Sequence, residues 1–158
     1  MLTMIRHHDD TYAYEPLTRR WSTPRLDYEQ APAHEKLDLH TRVAAASVRT
    51  AVITGLAAGI LHHIPILNHT NQVVVHLTLP GRQQPPPRSQ WENSILRYRY
   101  AVLPDTDICL IGGNRVTSLA RTFTDICTIN GELEGLAFLE AALHMGHSKQ
   151  EFQAYIDQ

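Results

Sequence analysis

Two kinds of side chain could do chemistry in this chain: its ten histidines, which can hold a metal or move a proton, and Asp105, Asp107 and Asp125, which could hold a hard divalent ion. The candidate imidazoles are His62-His63, His69, His76, and the pair His144 and His147. Adjacent histidines on a helix point about 100° apart, and no cysteine pair or His-Glu-x-x-His segment accompanies them. The spacing therefore predicts no metal site. His144 and His147 flank a helix end, where free carbonyls and the dipole favour imidazole. Asp105-Thr106-Asp107 follows Pro104 at a strand entrance, a position that suits turn-forming aspartates. If Asp105, Asp107 and Asp125 instead converged within about 6 Å, a divalent-metal-dependent nuclease-like reaction would be open to them. No phosphate loop, nucleophile elbow or dinucleotide fingerprint occurs, and no serine is set beside a base. The expectation is a protein that is not an enzyme and needs no cofactor.

The arginines suggest contact rather than catalysis. Arg82 and Arg88 lie in the proline-rich stretch 80–88, Arg97 and Arg99 alternate with Tyr98 and Tyr100, and Arg115 precedes a helix. A guanidinium offers a planar fork to phosphate or carboxylate. Arg97, Arg99 and Arg115 are therefore candidate partner-binding residues for protein or nucleic acid, against the alternative that they lie on a solvated sheet face. Residues 80–121 hold six Lys/Arg against three Asp/Glu, and residues 122–158 hold one against six. Such a division fits either a docking surface or two complementary faces of one surface.

These residues need elements to position them. Residues 1–32 show no sustained period and read as an arm or peripheral hairpin, with Leu17–Trp21 as a short strand. Leu37, His40, Val43 and Ala44 give a helical pattern from Ala33 to Val48, with Pro32 at its start. Thr50–Ile53 is strand-like, and 54–63 is a short helix rich in small residues and stopped by Pro65. Gln72–Leu79 alternates, with Val73, Val75, Leu77 and Leu79 on one face. Ser94–Val102 alternates too, placing Leu96, Tyr98, Tyr100 and Val102 opposite Arg97 and Arg99. Asp105–Ile111 reads as a strand, Gly112-Gly113-Asn114 as a turn, and Arg115-Val116 as a return strand.

Thr117 or Ser118 then caps a helix whose Leu119, Phe123 and Ile126 form the inner face. Arg121 and Asp125 pair at i, i+4 on it, worth about 0.2–0.5 kcal/mol unless a tertiary partner joins them. Residues 132–144 are apolar on most sides and predict a largely buried helix. Ser148–Glu151 is a capping box opening a last helix with Phe152, Tyr155 and Ile156 inward. The sum is an α+β fold: a small mixed or antiparallel sheet covered by helices, with the C-terminal helices on one face.

A chain of 158 residues with 43% hydrophobic and 19% charged composition can bury about two-thirds of its unfolded surface. No apolar run reaches the roughly 18–20 residues of a membrane span, and no basic segment leads into an apolar one at the start. A cytoplasmic protein without a membrane partner is expected. Cys109 and Cys127 sit in apolar runs and read as small buried hydrophobes.

Four segments in this order form a pattern: 54–66 (TGLAAGILHHIPI), 74–80 (VVHLTLP), 96–99 (LRYR) and 116–125 (VTSLARTFTD). The pattern resembles the AbiEi-type antitoxin family, in its actinobacterial branch. The resemblance covers about residues 40–158 and divides the chain into an arm or remnant wing at 1–40 and an AbiEi-like α/β domain at 41–158. It implies a non-enzymatic regulator of a type IV toxin–antitoxin system, involved in transcriptional regulation, whose partner is a nucleotidyltransferase-type toxin. Relatives carry a winged helix-turn-helix before this domain, and many carry a nuclease-like domain after it. Residues 1–40 show no helix-turn-helix pattern, leaving DNA contact an open alternative, as is a vestigial domain. Thr117, Ser118, Arg121, Thr122 and Asp125 carry the family motif and are expected to be structural.

Overall fold

The computed structural model describes residues 1–6, 12–81, 85–87, 89 and 94–157. In chain order its elements are β1 (Ile5–Arg6), β2 (Tyr14–Pro16), β3 (Trp21–Pro24), α1 (Arg25–Gln30), α2 (Ala33–Ser47), β4 (Val52–Thr54), α3 (Gly55–Leu61), β5 (Val75–Thr78) and β6 (Leu96–Arg99). A 3-10 turn at Asp105–Asp107 follows, then β7 (Ile108–Ile111), β8 (Asn114–Thr117), α4 (Leu119–Asn130), α5 (Glu132–His144) and α6 (Lys149–Ile156). Arg82 and Arg88 lie outside the described residues.

Alternation along the strands builds the larger sheet, ordered β6-β5-β4-β8-β7. β5 pairs with β6 and β4 with β8 in parallel, while β4–β5 and β7–β8 are antiparallel. The sheet is therefore mixed and the fold α+β. Register sets Tyr98, Leu77, Ile53 and Val116 in one row across β6, β5, β4 and β8. Val75 and Leu77 of this face pack with Leu37 and Ala44 of α2, Leu56 of α3, Ile126 of α4, Phe138 of α5 and Phe152 of α6. Burying each large apolar side chain contributes about 1.5–3 kcal/mol, so this face is where the helices must sit.

The opposite face carries Val52, Thr54, Thr78 and Thr117, all at most 1% exposed yet outside the apolar clusters. α4 covers two of them, Asp125 meeting the Thr54 hydroxyl and Thr122 that of Thr117. β6 and β7 stand at opposite edges, about 19 Å apart over four strand spacings, so residues 100–107 must traverse the sheet like a strap. Leu103 of the strap is buried, while Tyr100 and Val102 are 66% and 89% exposed. The alternation that predicts a strand to Val102 therefore outlasts the ladder, which stops at Arg99 where the chain leaves the edge. For the same reason Asp105–Asp107 is a turn and not the start of β7.

β1, β3 and β2 form a separate antiparallel sheet. Leu17–Arg20 is the turn of its hairpin rather than a strand, with the N–H groups of Leu17 and Thr18 donating to the Trp21 carbonyl. Leu2 and Leu17 pack on Leu39 and Val43 of α2, whose Leu37 and Ala44 face the main core. A boundary at residue 40 would therefore cut the helix that both clusters share.

Other expectations are corrected by packing. Phe138 is buried, but Leu133 and Leu136 are 56% and 55% exposed, so α5 buries one side only. Phe123 is half-buried and meets Phe152 edge-on at 5.9 Å between ring centroids. In α6, Phe152 is buried, Tyr155 half-buried and Ile156 exposed. The Ser148 hydroxyl bonds to the Gln150 side chain and caps no backbone N–H. Cys109 and Cys127 are free thiols, half-buried rather than buried. No helix of the described residues is long and apolar enough to cross a membrane.

Candidate functional site

The hairpin of β7 and β8 turns on Gly112 and Gly113, with φ of +56° and +80°. Only glycine takes two such consecutive conformations cheaply, and the two-residue turn it permits fixes the register Cys109↔Val116. That register delivers Thr117 and Ser118 to the start of α4. Ser118 is the cap, its hydroxyl accepting from the Arg121 N–H. Thr117 is occupied otherwise: its hydroxyl lies 2.8 Å from that of Thr122, which itself donates to the Thr117 carbonyl.

Arg121 then gains the tertiary partners that an i, i+4 pair needs to matter. Its Nε donates to Asp125 Oδ1 at 3.1 Å, and its Nη1 donates to Asp107 Oδ2 at 3.1 Å and to the Val102 carbonyl at 2.9 Å. Asp125 Oδ2 accepts from the Thr54 hydroxyl, and Asp107 Oδ2 from the Tyr155 hydroxyl at 2.6 Å. One guanidinium thus ties the strap, β4, α4 and α6 together. Burial opposes its charge, but Asp125 and then Tyr155 outweigh that and raise the Arg121 pKa above its ordinary value.

Asp107 and Asp125 do meet, as the sequence allows, but across a guanidinium, while Asp105 is exposed at the turn. Among the described residues no three His, Cys, Asp or Glu side chains are grouped to hold a metal ion.

The candidate arginines are distributed over the sheet face opposite the main core. Arg97 donates from Nη1 to the carbonyls of Ser94 and Leu96. Arg115 donates to the Thr50 carbonyl at 3.1 Å and is paired with Leu110, which is 72% exposed. Arg99 is half-buried, and its Nη1 has no acceptor among the described residues. Opposite Arg97 stands His76, whose pKa is pulled to about 4 by burial and by Arg99 and Arg97, against the pull of Asp125. A groove of about 580 Å³ lies along the strap, lined by Gly81 and residues 100–104.

Two polar sites have bonding partners that the sequence does not show, although His40 lies on the inward pattern of α2. Glu134 is 1% exposed, and its carboxylate accepts from the backbone N–H groups of Asn68 and His69 and from His69 Nδ1, pinning the segment after α3 onto α5. His40 is buried, with Nδ1 bonded to the Val73 carbonyl and Nε2 3.1 Å from the Tyr28 hydroxyl. Burial lowers its pKa, the carbonyl opposes this and Lys36 adds to it. Periodicity places His40 inward but names no partner for it, and Glu134 falls among the polar gaps of an apolar helix. Of the other histidines, His62 donates from Nε2 to the Thr117 carbonyl at 2.8 Å, and burial lowers its pKa.

The chain matches no family model, no curated protein and no solved structure.

Proposed function

We propose that this chain is a non-enzymatic binding domain of a type IV toxin–antitoxin system, acting in the cytoplasm on a nucleotidyltransferase-type partner protein. The ordered motifs resembling the AbiEi-type antitoxins motivate the reading. The observation that carries it is the consumption of the motif's polar groups by one another. Thr117 and Thr122 bond to each other, and Asp125, with Asp107 from outside the motif, is turned onto Arg121, which is the arrangement of a structural network. A divalent-ion nuclease would need Asp107 and Asp125 aimed at an ion, where they instead hold Arg121. The docking surface is the strap face, where Tyr100 and Val102 are exposed, continued by Leu110, the exposed register partner of Arg115. Exposed apolar side chains rimmed by a cation are the composition of a protein interface core.

The test is co-expression with a nucleotidyltransferase-type protein encoded beside this one, followed by size-exclusion chromatography. Val102→Glu and Leu110→Lys should each abolish co-elution while leaving the melting temperature unchanged, because both side chains are exposed. Co-elution that survives both substitutions removes the strap face as the interface. Failure of the unaltered chain to co-elute removes the antitoxin reading itself.

A further inference from the structure

His76 of β5 is the register partner of Arg97 on β6, and Thr78 of Arg99, one step further along the same face. Neighbouring strands lie about 4.8 Å apart and alternate residues about 7 Å apart, so one imidazole and two guanidinium stems rise from one small patch. All three residues are half-buried. Nη1 of Arg99 is out of water without an acceptor among the described residues. A buried, unpaired guanidinium N–H costs free energy, and an anionic oxygen restores the most. Arg97, anchored on the Ser94 and Leu96 carbonyls, supplies a fixed positive charge beside it.

We propose that His76, Arg97 and Arg99 form a binding site for hydrogen phosphate, free or as the end group of a small phosphomonoester. The facing groups set the choice of anion. Asp125, the carboxylate that acts on His76 electrostatically, is already paired with Arg121 and Thr54, so the patch keeps a net positive field. Burial and then the two arginines keep the imidazole uncharged near neutrality, leaving one ring nitrogen with a lone pair and no proton. Hydrogen phosphate has a P–OH to donate to that nitrogen and further oxygens to accept from Arg99. Sulfate and carboxylate at the same pH bring acceptors only. This inference stands apart from the antitoxin reading, since it needs no protein partner.

The experiment is an NMR titration of the full chain at pH 7 and constant ionic strength, following the His76 ring and the Arg99 guanidinium. Sodium phosphate should give saturable shifts at both, with sulfate at least about tenfold weaker. Glycerol phosphate, mostly a dianion without a P–OH at pH 7, should bind more tightly at pH 6, where much of it carries that proton, and equal binding at the two pH values would overturn the contact to His76. Arg99→Gln should weaken phosphate about tenfold, and His76→Gln should erase the preference over sulfate. Equal, unsaturable responses to phosphate and sulfate would overturn the proposal. So would an Arg99→Gln chain that binds phosphate as before. The phosphate–sulfate comparison uses the unaltered chain and decides the matter even if a variant fails to fold.

Discussion

Arg121 is legible in the sequence only as half of what it is. Its spacing to Asp125 predicts an i, i+4 pair worth a few tenths of a kcal/mol. Asp107 and Tyr155, which complete the network, come from other elements and carry no periodic signal linking them to α4. Because Asp107 and Asp125 are at most 7% exposed, removing the cation strands two buried carboxylates. Arg121→Gln should therefore cost about 3–5 kcal/mol, read from the urea midpoint, whereas a surface ion pair would cost under about 1 kcal/mol. A midpoint shift of the smaller size would show that water replaces the guanidinium. Titration gives a second residue-scale test. His40, His62 and His76 all have pKa values below the ordinary 6.5, chiefly through burial, with His76 at about 4. In the acid range the unfolded chain then binds more protons than the folded one, so stability rises with pH. The contribution is complete above about 6.5 and is lost as pH falls toward 4. Urea midpoints should decline across that window, and His76→Gln should flatten the decline. A slope that His76→Gln leaves untouched would mean that this imidazole is solvated.

Elements are more legible in the sequence than their ends. The alternation of 72–79 and the 3.6-residue period of α2 and α4 locate the ladder and the covering helices, because burial on one face imposes both patterns. Where the patterns fail, another force decides: β6 stops at Arg99 because its chain must cross the sheet, and the apolar outer side of α5 is not buried at all. The α4–α5 contact was not legible either. It depends on Gly135, where an added Cβ would lie 2.1 Å from Cys127 Sγ and 3.3 Å from Cys127 Cβ. Glycine inside a helix costs about 1 kcal/mol against alanine, so its presence here is explained by the close approach. Gly135→Ala should destabilise by about 1–3 kcal/mol, as overpacking does. Adding Cys127→Ala removes the sulfur and should recover most of the loss, giving a non-additive double-mutant cycle. Additive costs would place the helices further apart than the structure does.

At the scale of the molecule, the two sheets share one helix. α2 presents Leu37 and Ala44 to the main core and Leu39 and Val43 to the N-terminal cluster, all of them fully buried. Residues three or four apart share a helix face, and these two pairs fall on different faces, so α2 is clad on both sides. The sequence shows the inner stripe but gives no sign of a second cover, because the strands of residues 1–24 are too short to display alternation. If α2 is held from both sides, neither sheet can lose its structure without exposing large apolar side chains of the same helix. Unfolding should then be one cooperative event. Trp21 reports on the N-terminal sheet, since its ring packs on that cluster with Arg6 5.8 Å from the ring centre. In a Trp91→Phe background, Trp21 is the remaining tryptophan. Its fluorescence and the far-ultraviolet dichroism of the helices should therefore give coincident urea transitions. A fluorescence transition that precedes the helical one would show the N-terminal sheet to be an appendage that melts alone. Leu39→Ala sharpens the test: it should cost about 2–5 kcal/mol and move both transitions together, because the side chain it truncates belongs to the shared helix.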